Sequence, residues 1–117
     1  YGHARGDMAL QCIARVLRDQ VREVDLPGRL GGEEFGILLP NTRLEEALVI
    51  AERIRKSIEA LQCKQDTEAC ITMTASLGVA DYNRDMQGLD DLFNRADTAM
   101  YKAKNNGRNR VEIFKED

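Results

Sequence analysis

The chain has no apolar stretch long enough to cross a membrane, and its start carries no secretion-like segment. The segment is therefore expected neither to contact a membrane nor to be exported. Cysteine is scarce. Cys12, Cys63 and Cys70 form no C-x-x-C pair, and an odd count makes a poor disulfide framework, which suggests reduced thiols in the cytoplasm. Basic charge is also in deficit: the formal net charge is −3, and no basic stripe is interleaved with aromatics. That balance argues against a protein that wraps nucleic acid or coats anionic lipid. Internal repeats, low-complexity tracts and linkers are missing too. What remains is ordinary for one globular domain with its own core: 117 residues, 43% hydrophobic and 32% charged.

Periodicity lays out the elements. A first helix is expected to start near Asp7, whose carboxylate can cap free N–H groups, and to run on Leu10, Ile13, Leu17 and Val21. Leu26-Pro27-Gly28 ends it and opens a strand. The apolar run from Phe35 to Leu39 reads as a strand covered on both faces and flanked by neighbours. A second helix places Leu44, Ala47, Leu48, Ala51, Ile54, Ile58 and Leu61 on one stripe, opposite Glu45, Glu52 and Lys56. Residues Ile71 to Val79 alternate apolar and small polar side chains, as one strand with one buried face does. Gly88 opens a third helix that stops near Gly107, and Val111 to Phe114 gives a last strand. Helices interleaved with strands, two of them joined by a hairpin, imply an α+β sandwich: a mainly antiparallel sheet with flanking helices, most of them on one side.

The stretch Arg29-Leu30-Gly31-Gly32-Glu33-Glu34-Phe35 carries the chemistry. Gly-Gly between strands reads as a tight hairpin turn, its two central residues at positive φ. The missing Cβ atoms also let a bulky ligand lie against the backbone. Glu33 and Glu34, leaving the turn, would face opposite sides of a strand, so one of them can meet a given ligand. One carboxylate suffices to anchor a hard cation. From these residues alone, a solvated turn and a site for metal-bound phosphate both stand.

Several separated stretches carry a family resemblance. Gly31-Gly32-Glu33-Glu34-Phe35, Gly2-His3-Ala4-Arg5-Gly6-Asp7, Arg95-Ala96-Asp97 and Tyr101-Lys102-Ala103-Lys104-Asn105-Asn106-Gly107-Arg108-Asn109 resemble, in order, the turn, G-H-x-x-G-D, R-A-D and Y-x-A-K-x-x-G-R-N motifs of the GGDEF family of diguanylate cyclases. The resemblance covers residues 1–117 as a partial GGDEF domain. It implies a nucleotide-cyclase, palm-like (ferredoxin-like) fold that joins two GTP into cyclic di-GMP and releases pyrophosphate, acting as a two-fold homodimer with two Mg²⁺ per GTP half-site.

By that resemblance Glu33 is a Mg²⁺ ligand and the base for the attacking hydroxyl, and Glu34 supports the metal or the nucleotide. Gly31 and Gly32 let the triphosphate or ribose approach. Asp7 reads the guanine edge, with His3 beside the same nucleotide; Asp7 as a plain N-cap stands equally. Lys104 and Arg108 hold the β- and γ-phosphates, although cations there also suit a helix C-terminus. Arg95 and Asp97 are assigned structural contacts. Arg22 and Asp25, with five residues between Asp25 and Gly31, match the family's R-x-x-D product-inhibition site, and Arg53 matches a secondary arginine that completes it from a neighbouring domain. The plain alternatives are a surface ion pair for Arg22 and Asp25 and an ordinary exposed arginine for Arg53.

The resemblance lacks one part. The family's first, central strand, with a metal-binding aspartate and a guanine-reading asparagine, is expected upstream of Tyr1, along with a sensory or dimerisation domain. A chain without that strand is expected to leave backbone groups beside Phe35 to Leu39 without a ladder, and to be weakly active or inactive alone. The competing functions are a catalytically inactive cyclic di-GMP receptor and a ferredoxin-like interaction domain without nucleotide.

Overall fold

The computed structural model describes residues 3–31, 34–61, 63–64, 70–71 and 73–115, with side chains for residues 8–31, 34–61 and 73–115. Its elements run α1 (His3–Gln20), β1 (Leu26–Gly31), β2 (Glu34–Leu38), α2 (Leu44–Glu59), β3 (Cys63–Lys64), β4 (Cys70–Ile71), β5 (Leu77–Val79), α3 (Leu89–Asn105) and β6 (Val111–Ile113). The α+β class stands.

Residues spaced three and four apart place one apolar face of α1 against one face of α2. Val16 and Leu17 meet Ile54 and Ile58 in a buried cluster, and Ile13, Ile50, Leu61, Phe35, Ile37, Met73, Ala75 and Leu77 pack around it. Ile54 and Ile58 are each only 2% exposed, so each contributes about 1.5–3 kcal/mol of hydrophobic stabilisation. Ile54, Ile58 and Leu61 of the stripe expected on α2 belong to this cluster, Ala51 is also buried, and Ile50, outside that stripe, joins it.

α1 begins at His3, so Asp7 lies inside the helix and is not its N-cap. The gap of four residues exceeds the usual uncertainty of helix ends. An aspartate ahead of an apolar run looks like a cap from sequence whether or not the helix starts there.

β1 and β2 form an antiparallel hairpin. On β2, Phe35 and Ile37 face the α1–α2 core. On the opposite face, a Cβ built at Gly36 would lie 3.3 Å from Phe93 of α3. Both faces are covered, as expected. The flanking neighbours are not found: among the described strands β2 pairs only with β1. An apolar run reports what covers the faces of a strand, whereas its edges are filled by backbone partners that leave no mark on composition.

The single strand expected from Ile71 to Val79 is also corrected. β4 pairs antiparallel with β3, residues 73–76 are irregular, and β5 pairs in parallel with β6 in the register Leu77↔Val111, Gly78↔Glu112 and Val79↔Ile113. The alternation still sends Met73, Ala75 and Leu77 to the core. Gly78 points the other way, where a Cβ would sit 2.0 Å from the Ala96 carbonyl oxygen and 2.3 Å from the Met100 nitrogen. α3 therefore lies on β5 in backbone contact, on the face opposite α1 and α2, so two of the three described helices share one side.

Cys12 is disulfide-bonded, which corrects the expectation of three reduced thiols. Sequence spacing does not report which cysteines a fold brings together.

Candidate functional site

The turn is set by a bulge. Arg29 pairs with Phe35 and Gly31 with Glu34, so Leu30 is an extra residue on β1. Gly31 itself pairs with Glu34 and so lies on the ladder. β2 starts at Glu34, which leaves the turn on the strand as expected. Gly31 has φ 151°, where side chains are strained, and among the described residues nothing lies within 4 Å of a Cβ built there. Its backbone is open to a ligand. Glu34 is exposed beside it. Gly32 and Glu33, and with Glu33 the assigned base and metal ligand, lie outside the described residues.

His3 and Asp7 stand four residues apart on α1, which puts both positions on one helix face. Their side chains lie outside the described set.

The C-terminal end of α3 closes in an unusual way. Its last turn is finished by Asn106 N–H donating to the Lys102 carbonyl and Arg108 N–H donating to the Ala103 carbonyl, each 2.9 Å. Gly107, Arg108 and Asn109 follow with φ of 118°, 61° and 47°. Glycine takes such angles freely, but for Arg108 and Asn109 the left-handed backbone costs about 1–2 kcal/mol each. Lys104 is half-buried on the last turn and Arg108 is exposed, so this helix end presents two cations.

The offset comes from α2. Asn109 donates its amide to Glu59 Oε2 at 2.5 Å and accepts from Arg55 Nη1 at 2.9 Å. Arg55 also grips Glu52 through Nε and Nη2. This hydrogen bonding raises the Arg55 pKa and lowers that of Glu52. Sequence reading missed this cluster. The spacing of Glu52, Arg55 and Glu59 on one helix was visible, but Asn109 lies 50 or more residues away. Arg95 stacks over the Phe114 ring at 5.2 Å, a structural contact as expected, and Asp97 is exposed.

Arg22 and Asp25 meet between α1 and β1. Arg22 donates from Nε and Nη2 to both Asp25 oxygens at 2.8–3.2 Å, and its backbone N–H donates to Oδ2 at 2.7 Å. Nη2 also reaches Thr42 Oγ1 and the Pro40 carbonyl. Asp25 is 4% exposed, so this is not a surface ion pair. The Arg22 hydrogen bonds hold the Asp25 carboxyl below the usual carboxylate range against the opposing effect of burial, and the same bonds raise the Arg22 pKa. Arg53 donates to the Gln20 carbonyl at 2.9 Å, at the C-terminus of α1. The fold thus gathers Arg22, Asp25 and Arg53 around one helix end. Along extended β1 the Gly31 turn lies about 20 Å from Asp25, which makes two separate regions. Among the described residues no cluster of three His, Cys, Asp or Glu side chains could hold a metal, and no helix is long and apolar enough to cross a membrane.

Known proteins resemble this chain in sequence and in backbone course. The family described as diguanylate cyclase, GGDEF domain, matches residues 1–110. Diguanylate cyclase A of Treponema denticola is 44% identical over 115 residues, which is 98% of this chain and 31% of that protein. The chain thus spans less than a third of that relative's length. The active GGEEF domain of a diguanylate cyclase from Vibrio cholerae is 34% identical with a TM-score of 0.84, covering 100% of this chain and 73% of that one. The GGDEF domain of DgcB from Caulobacter crescentus, in complex with c-di-GMP, is 28% identical with a TM-score of 0.92, covering 99% of this chain and 68% of that one. With a family match across nearly its whole length and a shared backbone course, the chain belongs to the GGDEF domain family of diguanylate cyclases.

Proposed function

We propose that residues 1–117 form part of a diguanylate cyclase domain that joins two GTP into cyclic di-GMP. The observation that carries this reading is the open Gly31 backbone beside the Glu34 carboxylate, with a helix end bearing Lys104 and Arg108 elsewhere on the same domain. One subunit of a homodimer holds each GTP. The 3′-oxygen of each attacks the α-phosphorus of the other, a P–O bond forms, the bond to pyrophosphate breaks, and the hydroxyl proton passes to Glu33. Lys104 and Arg108 hold the β- and γ-phosphates, Arg108 through its forked donors. Asp7 accepts from the guanine N–H donors, with His3 beside it.

The donor chemistry suits Mg²⁺, because carboxylate oxygen is a hard ligand and a hydrated Mg²⁺ needs only one or two such groups plus phosphates. Glu33 and Glu34 would hold it, and two ions per GTP would neutralise charge on the phosphates.

Arg22 and Arg53 form the product-binding face, with Asp25 as the group that aims Arg22. Asp25's oxygens are engaged by Arg22, so product binds mainly through the exposed arginine heads. A signal reaches the domain from an upstream sensory or dimerising region, and the reaction runs in the cytoplasm, where GTP is made.

Calorimetric titration with cyclic di-GMP and with a non-hydrolysable GTP analogue plus Mg²⁺ tests this. Binding of both supports the enzyme. Binding of cyclic di-GMP alone would make the chain a receptor, and binding of neither a scaffold. In the active protein, Glu33→Gln is expected to abolish synthesis while product binding persists.

A further inference from the structure

The segment after α3 combines a disfavoured backbone with a long-range tether, and the tether sits one residue from the proposed phosphate-holding arginine. Arg108 and Asn109 both adopt left-handed φ after Gly107. A side chain of Arg108's length can reach many places from a mobile loop, so its placement depends on what fixes that backbone. Two local hydrogen bonds help: Arg108 N–H to the Ala103 carbonyl, and Arg110 Nε to the Arg108 carbonyl at 3.4 Å. The long-range element is the Asn109 amide. It uses its oxygen on Arg55 and its nitrogen on Glu59, two groups one turn apart on α2. Arg55 is in turn held by Glu52, so the tether ends on an ordered group. Beyond Asn109 the chain is fixed to the sheet, because Leu77 N–H donates to the Arg110 carbonyl at 2.9 Å.

We infer that Asn109 is a positioning residue: its amide, bridged between Arg55 and Glu59 of α2, fixes the left-handed backbone that aims Arg108 at the terminal phosphates of the bound nucleotide. This rests on the reading of Arg108 as a phosphate-holding group. Asparagine suits the position twice over. It tolerates left-handed φ better than most residues, and its amide offers, on two separate atoms, an acceptor for a cation and a donor for a carboxylate. Aspartate would place a second carboxylate against Glu59.

The test separates aim from stability. Asn109→Gly keeps the backbone angle accessible but removes the amide. In the full chain with Mg²⁺, this variant is expected to bind a non-hydrolysable GTP analogue about tenfold more weakly, the scale of one lost charge-assisted hydrogen bond, with GMP binding unchanged because GMP lacks the terminal phosphates. Asn109→Asp is expected to weaken the analogue similarly. The double variant Asn109→Asp/Glu59→Gln swaps donor and acceptor: the amide introduced on α2 donates to the carboxylate introduced after α3, while Arg55 donates to that carboxylate as before. Triphosphate affinity is then expected to return to within about twofold of the parent. A general loss of folding would lower both affinities together and would not be rescued by the swap. An unchanged ratio of triphosphate to monophosphate affinity in Asn109→Gly, or a double variant no better than Asn109→Asp, overturns the inference. If the parent chain itself binds the analogue no more tightly than GMP, the assignment of Arg108 fails first and this one with it.

Discussion

Replacing Gly78 by alanine would drive a methyl group into the backbone of α3. The added Cβ would stand 2.0 Å from the Ala96 carbonyl oxygen, 2.3 Å from the Met100 nitrogen and 2.9 Å from the Ala99 carbonyl carbon. Nonbonded heavy atoms prefer about 3.5–4 Å, so α3 must recede from β5 by more than about 1 Å. The obstructing atoms are main chain and cannot rotate away as a side-chain tip would. Overpacking usually costs about 1–3 kcal/mol, and a rigid obstacle puts this case near or above about 3 kcal/mol. At about 4 °C per kcal/mol for a domain of this size, Tm should fall by about 12 °C. In urea the midpoint should fall by about 1–2 M with little change in slope. Gly28→Ala is the control, since a Cβ there meets nothing within 4 Å, and both variants share the same gain from stiffening the unfolded chain. Melting followed by circular dichroism at matched concentration reads the difference. If Gly78→Ala and Gly28→Ala melt within about 2 °C of each other, the close packing of α3 on β5 is wrong.

Two further outcomes follow from the core and from the buried acid. Asp25 has its folded pKa held below the unfolded value of about 3.9, so its ionised form stabilises the fold above that value, and the contribution disappears as pH falls through the folded pKa. Urea midpoints measured from neutral pH downward should therefore drop on the acid side, and Asp25→Asn should be less stable near pH 7 with a flatter acid limb; an identical acid limb in the variant would remove Asp25 from the account. Ile54→Ala, at a side chain 2% exposed, is expected to cost about 2–5 kcal/mol. Val49→Ala on the same helix, 65% exposed, should stay within about 0.5 kcal/mol, and equal losses in the two would misplace the core.

The parts of this fold that were legible in the sequence are those written in local period. Ile54, Ile58 and Leu61 announce their face because a helix repeats every 3.6 residues, and Phe35 to Leu38 announce two covered faces because nothing polar interrupts them. Illegible parts depend on partners far along the chain. Gly78 reads as one more small residue in an alternating strand, yet its role is set by Ala96 and Met100. The bulge at Leu30 shifts the register of the hairpin by one residue and has no composition of its own. For the candidate site, the Arg22 and Asp25 spacing was readable, but the burial of Asp25 and the bonds to Thr42 and Pro40 were not. Asn109 is legible only as the last letter of a motif, because a bridge to Arg55 and Glu59 is a tertiary fact.

The hairpin that carries the Gly31–Glu34 turn is held unevenly. All of β1 is exposed, and β2 rests on the core through Phe35 and Ile37 while pairing, among the described strands, only with β1. Two-stranded ribbons are marginal by themselves in water. Glu34 thus sits on a hairpin with little to hold it shut, whose backbone amides are expected to exchange readily. Anything that settles along β2 or against Gly31 gains that missing order as part of its binding, so occupancy of the turn and rigidity of the hairpin rise together.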